Sequence, residues 1–255
     1  MTDSIRLAKR IAELRSCSRR EAEQIITGGW VRVDGNLIEE PQFRVNALQH
    51  IEIDAAANPA QTEPVTLLLN KSVGFHTLPA DHPAHHDRHA AQLLTIETLW
   101  AAENNNVPPR LRPLKMHFSQ LTACAPLETR ATGLLVFSQD WRIVRKLTEE
   151  ANTVEHEIIV EVGGDLAGNQ TASGLERLNR GAPFNGRTPT SIKISWQNET
   201  HLRIALKGAQ LGQVEKLCAA VDLQILAMKR IRLGGVSMGK MPLGQWRYLR
   251  SNEKF

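Results

Sequence analysis

Four histidines, His82, His85, His86 and His89, stand three and four residues apart with Asp81 and Asp87 beside them. On a helix that spacing would bring imidazoles to one face and chelate a metal ion. Pro79 and Pro83 oppose a helix there, so a solvated loop is the default reading and no metal is expected. Cys17, Cys124 and Cys218 are few and far apart, which argues against a disulfide framework or a zinc knuckle and fits a reducing compartment. Gly163-Gly164 and Gly234-Gly235 read as tight turns, because no Walker motif, dinucleotide fingerprint or Ser-His-Asp order accompanies them. Trp141, Trp196 and Trp246 have rings able to stack on bases, yet each lies in an apolar run and is expected in the core.

The remaining chemistry is electrostatic. The formal net charge is +4, with an isoelectric point near 9.1, a mild excess of base that favours a polyanionic partner. The excess sits at the two ends: seven Lys/Arg against three Glu between Ile5 and Arg32, and ten against three acidic residues between His201 and Phe255. The opening residues lack a basic stretch followed by an apolar one, and no apolar run reaches bilayer length, so a cytoplasmic protein without membrane insertion is expected.

These basic residues need elements to hold them. Ile5, Ala8, Ile11, Ala12 and Leu14 recur at helical spacing, with Arg6, Lys9, Arg10 and Glu13 on other faces. Ser18-Arg19-Arg20-Glu21 has the form of a capping box opening a second helix, which Gly28-Gly29 closes. Val31 to Ile38 alternates around Asp34-Gly35, a strong hairpin signal, and Ile51-Glu52-Ile53 is a further strand. Two helices and a small sheet make a first domain over 1–55. The Ala- and Pro-rich stretch 56–64 reads as a flexible linker, and 65–255 as one larger domain. With 42% hydrophobic residues in 255, the chain can bury a real core in such a division.

In the larger domain, strands are expected over 65–70, 133–137, 157–162, 191–196 and 201–206, helices over 141–150 and 213–220, and a basic tail of short strands at the end. The fold class is α+β, with a mixed, mainly antiparallel sheet flanked by helices.

Residues 1–54 resemble the alpha-L RNA-binding module through Arg6-Leu7-Ala8-Lys9-Arg10-Ile11-Ala12, Ser18-Arg19-Arg20-Glu21-Ala22 and Val31-Arg32-Val33-Asp34-Gly35. Helix faces of that module meet RNA phosphates, a shape-led and salt-sensitive mode of docking. Nearly the whole chain resembles the ribosomal RNA pseudouridine synthase family that carries the module in front. Leu67-Leu68-Leu69-Asn70-Lys71-Ser72-Val73-Gly74 is similar to the family's strand ending in Asn-Lys-Pro-x-Gly, with Ser72 in place of proline. Ala125-Pro126-Leu127-Glu128-Thr129-Arg130-Ala131-Thr132-Gly133-Leu134-Leu135 is similar to the catalytic segment Gly-Arg-Leu-Asp followed by Gly-Leu. Lys229-Arg230-Ile231-Arg232-Leu233 and Pro242 to Leu249 are similar to the closing strands.

The resemblance implies a uridine-to-pseudouridine isomerase that needs no cofactor, in which an aspartate breaks the glycosidic bond of a flipped-out uridine. Three positions depart from it. Glu128 stands for the aspartate, and its added methylene moves the carboxylate by about 1 Å, a displacement that costs roughly a hundredfold in rate. Ile158 stands for a tyrosine that packs on the target base. Glu215 stands for the arginine that pairs with the nucleophile, and two adjacent carboxylates repel. Two readings follow: an RNA-binding pseudoenzyme with weak or lost activity, or an active synthase using Glu128 with Arg130 or Lys216 as counter-ion. In either, RNA contacts are expected from Arg6, Lys9, Arg10, Arg19, Arg20 and Arg32, and from Lys71, Gln213, Lys229 and Arg230. The expected partner is ribosomal RNA or a pre-ribosomal particle, bound by a monomer active in ribosome biogenesis.

Overall fold

A computed structural model describes residues 4–59, 64–77, 88–100, 113–186 and 192–255. The chain divides into two compact units, one holding the N-terminal residues to Pro64 together with 113–121, the other holding the rest.

In the first unit, β1 (Ile5–Arg6) leads into α1 (Leu7–Arg15), which buries Leu7, Ala8 and Ile11 on one stripe. Ser16, in the left-handed region at φ 48, turns the chain toward α2 (Arg19–Thr27). The expected capping box is present: Glu21 N–H donates to Ser18 Oγ at 3.2 Å and Ser18 N–H to Glu21 Oε2 at 2.8 Å. Ala22, Ile25 and Ile26 of α2 complete a core with Val31, Val33 and Val45. Strands β2 (Val31–Val33), β3 (Asn36–Leu37), β4 (Arg44–Val45) and β5 (Ile51–Ile53) follow, with sheet order β3-β2-β5 and β1 paired to β4. Asp34 and Gly35 both have positive φ, 50 and 78, as the tight hairpin between β2 and β3 requires.

The division differs from the expected 65–255 domain at one segment. Residues 113–121 belong with the first unit, because Lys115 N–H donates to the Glu39 carboxylate at 2.8 Å and its ammonium pairs with Glu40. Of the expected linker, 56–59 lies in the same unit, and Ala57 packs on its core; 60–63 lie outside the described residues.

The second unit is built on β6 (Thr66–Lys71), β7 (Thr122–Cys124), β8 (Thr132–Ser138), α3 (Trp141–Thr148), β9 (Glu155–Gly164), α4 (Leu166–Asn169), α5 (Ala172–Arg180), β10 (Ile192–Trp196), β11 (His201–Lys207), α6 (Gln213–Ala219), β12 (Leu223–Leu233), β13 (Val236–Ser237) and β14 (Trp246–Tyr248). The strands form one sheet in the order β10-β11-β9-β12-β8-β6-β14, with β13 on β12 and β7 on β8. The β12–β8 pairing is parallel and the others antiparallel. The sheet is therefore mixed and mainly antiparallel, and the class is α+β. Leu67, Leu68 and Leu69 are fully buried, and each such leucine contributes about 1.5–3 kcal/mol relative to exposure.

Three expectations give way here. The C-terminal part is not a series of short strands alone, since β12 runs eleven residues with register shifts at Ile225/Ala227 and Arg230/Arg232. Helices α4 and α5, capped by Asp165 and Thr171, occupy a stretch where no helix was expected. Trp246 is fully buried, but Trp141 is 68% exposed at the start of α3, because helical periodicity carries the first residue of that apolar run outward. Trp196 is half-buried, and its indole N–H donates to the Asn169 carbonyl.

Candidate functional site

The segment 125–131 joins β7 to β8 and carries Glu128. Ala125, where the related segment has glycine, keeps a positive φ of 50. Two buried cations hold the segment. Arg230 donates from Nε to the Leu134 carbonyl at 2.8 Å and from Nη2 to the Ala125 carbonyl at 2.5 Å, with Nη1 at 3.4 Å from Pro126 O. Lys71 Nζ donates to the carbonyls of Ser72 and Phe75 at 3.0 Å and of Thr129 at 3.3 Å. Thr77 Oγ1 donates to the Leu127 carbonyl at 3.0 Å and accepts the Leu127 N–H at 3.3 Å. Gly133 permits the approach of β8 to β12, since a Cβ there would lie 2.2 Å from the Arg230 carbonyl oxygen.

Lys71 and Arg230 were expected on the RNA-facing surface. They are instead 0% and 1% exposed, and a buried cation must find acceptors within the protein. Burial is the main force lowering the Lys71 ammonium to about 8; Glu128 acts in the opposite direction and Arg230 reinforces the fall. Burial likewise lowers Arg230, and Glu128 opposes it, the guanidinium staying charged at neutral pH. His156, 3% exposed with Nδ1 at 3.4 Å from Arg230 Nη1, is pushed down to about 3 by burial and then by Arg230.

The Glu128 carboxylate is half-buried and accepts the Gly212 N–H at 2.9 Å, at the turn entering α6. Glu215, one helical turn on, is exposed and paired with Arg130. Arg130 is thus engaged by Glu215, and the Lys216 ammonium lies over the Phe184 ring at 5.8 Å. Each carboxylate has its own donor, the Gly212 N–H for Glu128 and the Arg130 guanidinium for Glu215. The cations that interact with Glu128 are Lys71 and Arg230, and nothing in a basic residue's type announces their burial. Ile158 sits on β9 opposite Ile204 of β11 and Arg230 of β12, 3% exposed, and brings no hydroxyl to this place. Gln213 is half-buried, and its side-chain oxygen accepts the Gln210 N–H at 3.0 Å; Lys229 is exposed on β12.

In the first unit Arg6, Lys9, Arg19, Arg20 and Arg32 are exposed and Arg10 is half-buried. Arg10 pairs with Glu13 at 3.6 Å and Arg19 with Glu23 at 3.3 Å. Exposed pairs of this kind stabilise by about 0–1 kcal/mol, so a phosphate can replace the carboxylate at little cost. Of the histidine cluster, His82, His85 and His86 lie outside the described residues, and His89 accepts the Ala91 N–H through Nδ1. Among the described residues there is no group of three or more metal-ligating side chains, and no helix is long and apolar enough to cross a membrane.

Residues 5–48 match the S4 domain. Over 252 residues the chain is 24% identical to an uncharacterised RNA pseudouridine synthase of Aquifex aeolicus, covering 98% of this chain and 94% of that one. It is 24% identical over 252 residues to the dual-specificity RNA pseudouridine synthase RluF of Escherichia coli, covering 98% and 77%. Over nearly its whole length the chain is thus similar to RNA pseudouridine synthases. A synthase-family member of Mycobacterium tuberculosis, also uncharacterised, is 27% identical over 253 residues, covering 98% and 91%. The fold agrees: a crystal structure of a pseudouridylate synthase superposes with a TM-score of 0.57 at 17% identity, over 96% of both chains.

Proposed function

We propose that this chain is a relative of the RNA pseudouridine synthases that binds structured ribosomal RNA, docking through its S4 domain, with weak or lost uridine-to-pseudouridine isomerase activity. The observation that carries the reading is the pairing of Glu215 with Arg130 while Glu128 rests on a backbone N–H. The helix that should bring a guanidinium to the nucleophile brings a second carboxylate. Ile158 supports the same reading, because an aliphatic side chain offers neither an aromatic edge nor a proton to a flipped base. A protein of this kind acts as a cytoplasmic monomer, a pseudoenzyme that recognises a site in ribosomal RNA or a pre-ribosomal particle during ribosome biogenesis.

A second reading is favoured by Lys71 and Arg230. Both buried cations interact electrostatically with Glu128, so an altered synthase using Glu128 as nucleophile keeps positive charge beside it. The experiment that separates the two is incubation of the purified chain with deproteinised ribosomal RNA, followed by mapping of pseudouridine. RNA binding without a new modified site is expected. Site-specific conversion abolished by Glu128→Ala would establish the second reading and remove the first.

A further inference from the structure

The outer face of β2 and β5 gathers side chains that neither the synthase chemistry nor the phosphate-binding helices use. Val31 and Val33 point into the core of the first unit, 0% and 3% exposed, so the alternate residue Arg32 falls on the other side of the pleat, and Trp30, just before β2, borders the same space. Ile51 and Ile53 pack on that same core, which puts Glu52 and Asp54 on the outer face too. The register sets Arg32 directly opposite Glu52, and Asp54 N–H donates to the Trp30 carbonyl at 2.9 Å. These four residues, together with Gly28, Ile53 and Leu114 among others, line a cavity of about 610 Å³.

The indole is fixed in place. A Cβ on Gly28 would lie 2.8 Å from both Cδ1 and Nε1 of Trp30, so the ring edge rests directly on a glycine at the end of α2. Trp30 also packs, half-buried, against the hydrophobic core of the unit. A held aromatic ring in a cavity of this size is a ready stacking surface, and stacking of a base on such a ring contributes about 1–3 kcal/mol. Arg32 gives one N–H to the Gly35 carbonyl at 2.9 Å and has further donors on the same fork. Glu52 is exposed, with the His50 Nε2 at 3.4 Å; Asp54 accepts the Ala56 N–H at 2.8 Å through one oxygen.

We infer that this cavity takes an unpaired guanine of the bound RNA. Guanine carries a ring N–H beside its amino group on one edge, a pair of donors that a carboxylate accepts, and O6 beside N7 on another, a pair of acceptors that a guanidinium reaches. Glu52 and Arg32 are the specificity-determining residues, and Trp30 supplies the stacking. Adenine offers no ring N–H to the carboxylate, and uracil gives a smaller stacking face. The inference rests on the RNA-binding reading above and adds a base preference that phosphate contacts alone do not produce.

The test uses the full chain and fluorescence anisotropy with three labelled single-stranded probes: hexauridylate, and the same strand with one central guanine or one central adenine. The guanine strand is expected to bind about tenfold more tightly than the adenine strand, a difference of about 1.4 kcal/mol. Glu52→Gln, an exposed and isosteric change, is expected to bring the two within about twofold. Trp30→Leu should weaken the guanine strand most, whereas Arg19→Ala with Arg20→Ala should weaken all three alike. Equal affinity for the three strands, with binding to a structured ribosomal RNA fragment intact, overturns the guanine site alone. A guanine preference that survives both Glu52→Gln and Trp30→Leu also overturns it. Failure to bind any of these RNAs overturns the RNA-binding reading as well.

Discussion

Glu128 is held by its surroundings, which makes residues far from it in sequence responsible for where its carboxylate lies. Arg230 and Lys71 grip the backbone on either side of it, and Gly133 lets β8 approach Arg230. Gly133→Ala puts a methyl into the Arg230 carbonyl at a φ of 104, and is expected to destabilise the second unit by about 3 kcal/mol, read from the urea midpoint. His156 gives a pH signature. Its folded-state value, about 3, lies below the unfolded value near 6.5, so the unfolded chain binds the extra proton between those limits. Stability is then complete above about pH 6.5 and falls as the pH drops through the window. At pH 5 this histidine alone removes up to about 2 kcal/mol, and a urea midpoint unchanged between pH 7 and pH 5 would contradict its buried, neutral state. The sequence carried the types of Glu128, Ile158 and Glu215 but not their partners. Pairing of Glu215 with Arg130, and burial of Lys71 and Arg230, depend on which strand lies beside which, and no local pattern encodes that.

Elements with their own local chemistry were legible, and those formed by long-range packing were not. The capping box of α2 and the Asp34-Gly35 hairpin satisfy backbone groups within a few residues, so their signals are complete in the sequence. Ser18→Ala removes one of the two reciprocal bonds and is expected to cost the first unit about 1 kcal/mol, seen as a lower melting temperature of that unit. Helix α4 spans only four residues, too few for a helical period to show, and α5 is anchored by Asn179 bonding to Ile194 of β10, a partner fifteen residues away. The segment 113–121 joins the first unit through Glu39 and Glu40, more than seventy residues distant. Nothing in its own residues marks that attachment.

At the scale of the molecule, basic charge at the N-terminal end and a synthase-type second unit describe a protein organised for polyanion binding. Neutralising Arg19 and Arg20 together is expected to lower the slope of log affinity against log salt by about 1.5 for a structured RNA, since each phosphate contact contributes about 0.7–0.9. A slope unchanged in that double variant would move the phosphate contacts elsewhere on the surface. The central claim is that RNA is held without its uridines being isomerised. It is tested most directly under single-turnover conditions, with the chain in excess over ribosomal RNA stripped of protein, by counting pseudouridine at every uridine before and after incubation. No position gaining pseudouridine while the RNA stays bound is the predicted result; one uridine converted in step with the amount of protein, and unconverted with Glu128→Ala, is the result that contradicts it.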